Sequence, residues 1–140
     1  MSSRRYFLKN SVLASAACCI VPSLILGGCN NLQLVAFEKL ENPNQLKIKK
    51  TAFEKSNAVI INDPSQEAQI FLKKETEGYK ALLMLCTHKS CDVALAGAVF
   101  VCPCHGSEFS KSGAVLTGPA TKPLIEFNTT TDDTYVYVQL

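Results

Sequence analysis

Two short segments decide the fold and the chemistry of this chain: C-T-H-K-S-C at residues 86–91 and C-P-C-H-G-S-E-F at residues 102–109. They hold four of the seven cysteines and both histidines of the 140 residues. Thiolate and imidazole are the ligands that zinc and iron–sulfur clusters prefer, so this grouping indicates a metal site. A lone histidine is usually an ordinary core or surface residue, but two that each fall beside cysteines favour a ligand role.

The segments offer more ligands than a single zinc ion uses. The candidates are Cys86, His88, Cys91, Cys102, Cys104 and His105. A structural zinc site needs four ligands, and a single residue between cysteine and histidine is short against the usual zinc spacings. An iron–sulfur cluster is therefore the favoured interpretation. A structural zinc-binding module in an exported lipoprotein is the alternative from another functional class.

Both segments resemble the Rieske 2Fe–2S proteins, whose pattern is C-x-H-x-x-C followed by C-P-C-H-G-S. The resemblance implies a Rieske-type 2Fe–2S cluster as cofactor. The implied ligands are Cys86 and Cys102 on one iron and His88 and His105 on the other. It also implies a disulfide between Cys91 and Cys104 that joins the two loops. The fold it implies is all-β, a Rieske-type antiparallel β sandwich with a small cluster-binding subdomain formed by two loops.

Further positions match the family's cluster surroundings. Ser107 stands where high-potential members place a serine that bonds a cluster sulfur, although it would also suit a simple turn cap. Phe109 replaces a tyrosine that donates to a ligand sulfur in many members, so we expect a reduction potential below the top of the family's range. Gly118-Pro119 matches the proline loop of the quinol-oxidising branch. Lys89-Ser90 departs from the Leu-Gly of that branch and disfavours an apolar docking tip.

The body of the chain predicts one all-β domain over residues 45–140. Short runs rich in branched and aromatic residues alternate with glycine, proline, asparagine and aspartate, which favours a sandwich or barrel. The predicted strands are 46–50, 58–62, 69–73, 79–85, 98–101, 114–117, 124–128 and 134–139. Residues 29–44 show no clean periodicity and are interpreted as a tether.

The first 28 residues predict an export signal. S-R-R-Y-F-L-K at residues 3–9 resembles the twin-arginine signal and precedes a mostly apolar, uncharged run over residues 12–26. The run is followed by G-G-C, which resembles a lipobox with Cys29 as the lipid-bearing residue. A retained membrane anchor is the alternative. Both interpretations predict a protein tethered to the exported face of a membrane, where a disulfide persists.

Composition limits the function. The chain is 47% hydrophobic and 19% charged, which excludes a disordered tail. Beyond residue 28 it has eleven basic and twelve acidic side chains, so it lacks the basic footprint of a nucleic-acid binder. We expect one-electron transfer between redox partner proteins, without a substrate pocket. The protein would be either the iron–sulfur subunit of a quinol:cytochrome c reductase-like complex or a free or oxidase-associated carrier.

Overall fold

The computed structural model describes residues 32–140, which form three β-sheets. The strands are β1 (Gln33–Leu34), β2 (Glu38–Glu41), β3 (Asn44–Lys49), β4 (Ala58–Ile61), β5 (Ile70–Lys74), β6 (Tyr79–Leu83), β7 (Ala94–Ala96), β8 (Val99–Val101), β9 (Glu108–Ser110), β10 (Val115–Thr117), β11 (Glu126–Phe127), β12 (Thr129–Thr131) and β13 (Tyr135–Gln139). A short 3-10 helix spans Lys50–Phe53. The twin-arginine motif, the apolar run and Cys29 lie outside the described residues.

The sheets stack as three layers. The central sheet has the strand order β1-β4-β5-β6-β11, the outer sheet has the order β12-β13-β3-β2, and the site sheet has the order β10-β9-β8-β7. Neighbouring strands pair antiparallel except β1 and β4, which pair in parallel. One hydrophobic core lies between the central and outer sheets, and a second lies between the central and site sheets.

The central sheet is buried on both faces, and this places the first cysteine of the candidate site. Successive side chains of a strand point to opposite faces. Leu83 and Leu85 accordingly belong to the core shared with the outer sheet. Leu82, Met84 and Cys86 belong to the core shared with the site sheet. The alternation continues beyond the end of β6, so Cys86 leaves the strand on the side that faces the other cysteine–histidine segment.

The predicted all-β fold is confirmed, and each of the eight predicted runs overlaps a strand. The predicted tether is wrong for its described part, because β1 and β2 pair with β4 and β3 of the domain. β2 was hidden because its sequence, E-K-L-E, lacks branched and aromatic residues. The cluster-binding subdomain consists of more than the two predicted loops, because it also includes the four-stranded site sheet that supports them. Within residues 32–140, no helix has the length and apolar character that crossing a bilayer requires.

Candidate metal centre

The first cysteine–histidine segment closes into a compact loop that leaves β6 and returns toward β7. The Cys86 N–H donates to the Cys91 carbonyl oxygen at 2.7 Å, and the Ser90 N–H donates to the Cys86 carbonyl oxygen at 2.9 Å. Ser90 has a φ of 53°, in the left-handed region that non-glycine residues rarely adopt. We call residues 86–91 the first loop.

The second segment repeats the same backbone scheme between β8 and β9. The Cys102 N–H donates to the Ser107 carbonyl oxygen at 2.8 Å, and the Gly106 N–H donates to the Cys102 carbonyl oxygen at 3.0 Å. Gly106 has a φ of 75° and so occupies the position that Ser90 has in the first loop. Glycine carries no Cβ and adopts this conformation without strain. Residues 102–107 are the second loop, and the two loops present their first cysteines in equivalent ways.

The four predicted ligands form two pairs at one end of the molecule. Cys86 and Cys102 are free thiols, each 1% exposed, and the Cys102 thiol is near enough to the Cys86 sulfur to help lower the pKa of Cys86. The rings of His88 and His105 have centroids 4.9 Å apart and planes at 85°. His88 is half-buried and His105 is exposed. The two thiols are therefore buried, and the two imidazoles are closer to solvent.

The surroundings of Cys86 favour a thiolate. Burial raises the pKa of the Cys86 thiol, but hydrogen bonds lower it by more, so the pKa lies below its ordinary value. In decreasing order of effect the donors are the His88 backbone N–H, the Cys102 thiol, the Ser107 hydroxyl and the Lys89 backbone N–H. Thiolate is the form of cysteine that binds metal, so this pocket is preorganised for a cationic centre.

One buried histidine nitrogen has no hydrogen-bond partner among the described residues, and a bound metal would supply a bonding partner for it. His88 Nδ1 is buried, and no group in residues 32–140 makes a hydrogen bond to it. Leaving a buried polar atom unsatisfied costs about 1–3 kcal/mol. A bond from Nδ1 to a metal would remove this cost. Two free thiols and two imidazoles at one end of the domain fit the mixed donor set of a Rieske cluster. The assignment of each side chain to an iron stays a prediction.

The predicted disulfide is present. Cys91 and Cys104 form a disulfide with a Cα–Cα distance of 6.5 Å, which joins the first loop to the second. The Sγ atoms of Cys91, Cys102 and Cys104 lie within 4.8 Å of one another. Because two of these sulfurs are bonded to each other, only Cys102 offers a thiol, and the trio is not a second metal site. The bridge instead packs directly beside a predicted ligand.

The four predicted neighbours of the cluster take different positions around the loops. Ser107 is fully buried, and its hydroxyl contacts the sulfur of Cys86; the implied bond to a cluster sulfur stays a prediction. Phe109 is also fully buried, and it pairs across the sheet with Phe100 in the core under the second loop. Gly118 and Pro119 are exposed, and the peptide bond between them is cis.

Two contacts connect the proline loop, residues 118–123, to the metal-site loops. The backbone N–H of Ala120 donates to Ser107 Oγ at 3.0 Å, and Thr87 Oγ1 donates to the Lys122 carbonyl oxygen at 2.6 Å. Sequence reasoning placed Ala120 in the proline loop but identified neither of these two contacts. Thr87 fills the variable position of C-x-H, and Ala120 contributes only backbone, so neither carries a side-chain pattern that would reveal it.

Known proteins share this arrangement. The family model described as the Rieske [2Fe-2S] domain matches residues 40–128. The cytochrome b6-f complex iron-sulfur subunit of Prochlorococcus marinus (strain MIT 9303) is 41% identical over 56 residues, which cover 39% of this chain and 32% of that protein. The plasma membrane Rieske protein PetC3 from Synechocystis PCC 6803 superposes with a TM-score of 0.54 at 27% identity, over 66% of this chain and 95% of that one. A hyperthermophilic respiratory Complex III shares the fold with a TM-score of 0.51 at 23% identity, over 64% of this chain and 71% of that one.

The chain therefore belongs to the Rieske [2Fe-2S] family. As a member it binds a Rieske-type 2Fe–2S cluster, a centre for one-electron transfer, and its matched part is related to the iron–sulfur subunit of cytochrome b6-f complexes. This assignment favours the cluster over a structural zinc ion. The chain spans 16% to 38% of the length of the curated relatives it matches.

Proposed function

We propose that the protein is a membrane-tethered carrier that passes one electron at a time between redox proteins on the exported side of a membrane. The observation that carries the proposal is the order of the four predicted ligands from core to solvent. The thiols are buried, His88 is half-buried and His105 is exposed. An imidazole edge at the surface brings a docked partner close to the redox centre. A separate feature, the cavity of ≈ 600 Å³ between β1, β3 and the 3-10 helix, is lined by none of the four predicted ligands and so is not part of the candidate metal centre.

When bound, the 2Fe–2S cluster accepts and returns a single electron. Cys86 and Cys102 would hold one iron, and His88 and His105 would hold the other. Neutral imidazole in place of thiolate leaves the site less negative, which favours reduction and gives such centres potentials of about −150 to +300 mV. The Ser107 hydroxyl stabilises negative charge on the Cys86 sulfur and shifts the potential upward. Phe109 has no donor to add.

Lys89 favours the role of a carrier over the role of a fixed subunit in a quinol-oxidising complex. This lysine is exposed at the tip of the first loop, between His88 and Ser90. Burying a lysine ammonium in an apolar quinol pocket is costly. The subunit role is the second candidate. It is supported by Gly118-Pro119 and by the likeness to a cytochrome b6-f iron–sulfur subunit.

Export and tethering are supported by the sequence and by the bridge between the loops. Residues 3–9 carry the twin-arginine pattern, and Cys29 ends the lipobox-like run. A structural disulfide between Cys91 and Cys104 suits an oxidising compartment.

Replacing both Arg4 and Arg5 with lysine should leave the protein in the cytoplasmic fraction. Cys29→Ala should release it from lipid without loss of the cluster, and mass spectrometry of the mature native protein reports the modification. A mature chain that keeps residues 1–28 would support the retained anchor instead.

The decisive experiment on function is spectroscopic. The full chain, purified from mildly solubilised membranes, should contain iron and acid-labile sulfide in equal amounts. It should show a Rieske-type electron paramagnetic resonance signal after reduction, and co-purifying proteins would identify the donor and acceptor. A colourless protein that contains zinc would contradict the proposal.

A further inference from the structure

The end of the molecule that carries the metal site differs in charge from the rest. We call this end the tip and define it as the two metal-site loops and the proline loop, residues 86–91, 102–107 and 118–123. The tip contains two lysines and no acidic residue. The remaining described residues contain nine lysines and twelve acidic side chains. The three loops of the tip therefore carry a net positive charge, whereas the other described residues carry a net negative charge.

The two tip lysines belong to neighbouring loops. Thr87 donates from Oγ1 to the Lys122 carbonyl oxygen at 2.6 Å, and Lys89 lies two residues further along the same loop. Both lysines are exposed. Lys89 therefore lies on the loop that carries His88, and Lys122 lies on the loop that is hydrogen-bonded to it.

Neither tip lysine is neutralised within the described part of the chain. Four other lysines make ion pairs with carboxylates, namely Lys39, Lys47, Lys73 and Lys80. Lys89 and Lys122 make no ion pair with any carboxylate of residues 32–140. The carboxylates that directly follow the loops are Asp92 and Glu108, and Glu108 accepts a hydrogen bond from Thr117. Two exposed lysines without an ion-pair partner in the described residues thus lie on the loop that carries His88 and on the loop bonded to it.

We propose that the tip is the docking surface for an acidic redox protein, which Lys89 and Lys122 attract and orient. The inference rests on the proposed electron-transfer function and names the chemistry of its partner. Charge complementarity accelerates encounter and selects orientation more than it adds affinity, which suits a carrier that must also dissociate. Because the rest of the described domain carries a net excess of acid, it attracts an acidic partner less than the tip does.

The test compares electron acceptors of opposite charge. The purified holoprotein is reduced and mixed in a stopped-flow instrument with ferricyanide, with tris(phenanthroline)cobalt(III) or with an acidic plastocyanin. The variant Lys89→Glu/Lys122→Glu should react about tenfold more slowly with ferricyanide and with plastocyanin at low ionic strength. It should react faster with the cobalt complex. These differences should vanish at about 0.5 M salt, where screening is nearly complete.

The matched control is Lys55→Glu/Lys74→Glu. It makes the same change in net charge at two exposed lysines outside the tip, so it should shift all rates far less. Equal effects of the two double variants, or unchanged rates with ferricyanide and plastocyanin, would overturn the proposed docking surface. If the docking surface is wrong, both variants still show the electron paramagnetic resonance signal. If the proposed electron-transfer function is wrong, the wild-type protein itself lacks the signal.

Discussion

Ser107 Oγ accepts a hydrogen bond from the Ala120 backbone N–H at 3.0 Å, and both residues are buried. The same hydroxyl donates to the sulfur of Cys86. One side chain therefore connects the proline loop to a predicted cluster ligand. Because a buried serine hydroxyl has one proton and accepts through its lone pairs, both contacts are satisfied together. The position of the proline loop and the charge on the sulfur are thus coupled through one atom.

Ser107→Ala should change the potential and the stability together. Loss of the donor to Cys86 destabilises the more negative, reduced state. If that difference is about 1.4 kcal/mol, the midpoint potential falls by about 59 mV. The Ala120 N–H also loses its partner, which costs about 1–3 kcal/mol. Protein-film voltammetry measures the first effect and thermal unfolding the second.

The control for this variant is Ser112→Ala, which removes an exposed hydroxyl that contacts Ser110 in the same subdomain. It should leave the potential unchanged. A Ser107→Ala protein with the wild-type potential would show that the hydroxyl only fixes the loop.

The ligand assignment predicts four equivalent losses. Cys86→Ser, His88→Ala, Cys102→Ser and His105→Ala should each abolish the electron paramagnetic resonance signal and reduce iron content to background, because each iron depends on two protein ligands. The isosteric control is Cys91→Ser, which removes a sulfur that is already bonded to Cys104. A variant of the first group with normal iron content would remove that residue from the ligand set.

The sequence predicted most strands because long runs of branched and aromatic residues have few alternatives to a sheet. The five strands that it missed all have two to four residues, such as β7 with the sequence A-L-A, where cross-strand pairing rather than propensity decides the structure. β2 failed for a related reason, because its charged side chains suit an edge strand as well as a solvated tether. Short edge strands depend on the neighbours that the chain folds against.

The candidate site was predictable where side-chain identity defines it. Cysteines and histidines at this spacing strongly indicate a metal site. The family resemblance added the prediction of a disulfide between the two remaining cysteines of the segments. The contacts from Thr87 to Lys122 and from Ala120 to Ser107 were not predictable. Each uses a backbone atom, and each joins segments separated by 35 or 13 residues. Backbone groups are the same in every residue, so no sequence pattern marks which of them meet.

Removal of the disulfide should loosen both loops without removing a ligand. Cys91 and Cys104 are separated by 13 residues, and chain-entropy reasoning gives about 3 kcal/mol for a loop of this size. Cys91→Ser and Cys104→Ser should therefore lower the unfolding temperature and release the cluster at lower temperature on warming. Visible absorbance followed against temperature measures the release. Equal release temperatures with and without the bridge would contradict this role.

Substitutions at the equivalent positions Ser90 and Gly106 should change the free energy of unfolding in opposite directions. Ser90 has a φ of 53° and Gly106 a φ of 75°. A side chain in this region costs about 1–2 kcal/mol. Ser90→Gly should therefore raise the free energy of unfolding by about 1 kcal/mol, reduced by the extra freedom of glycine in the unfolded chain.

Gly106→Ala should lower the free energy of unfolding by a similar amount. A Cβ at Gly106 would meet no atom within 4 Å, so the backbone conformation alone would be responsible. Urea titration of the two variants measures both effects. A stabilised Gly106→Ala protein would contradict the left-handed geometry of the second loop.

Asp63 predicts a pH-dependent stability far from the metal site. It is 4% exposed, and its carboxylate accepts hydrogen bonds from the backbone N–H and hydroxyl of Ser65 and from the Lys39 ammonium on β2. Burial raises the pKa of Asp63, but hydrogen bonds from Ser65 and then from Lys39 lower it by more, so the pKa lies below its ordinary value. The unfolded chain binds the proton more readily than the folded one.

The ionised carboxylate therefore stabilises the fold at pH values above the unfolded-state pKa of about 3.9, and this contribution is lost as the pH falls through the lower folded-state pKa. Asp63→Asn should lower the free energy of unfolding at neutral pH by about 2 kcal/mol, the scale of hydrogen bonds to a charged group. The gap between wild type and variant should narrow as the pH falls toward 3 and below. Glu67→Gln, an exposed carboxylate in the same loop, is the control and should show no such gap. Urea midpoints followed by circular dichroism at several pH values measure the difference, and a gap that stays constant with pH would show that the Asp63 charge contributes nothing to the fold.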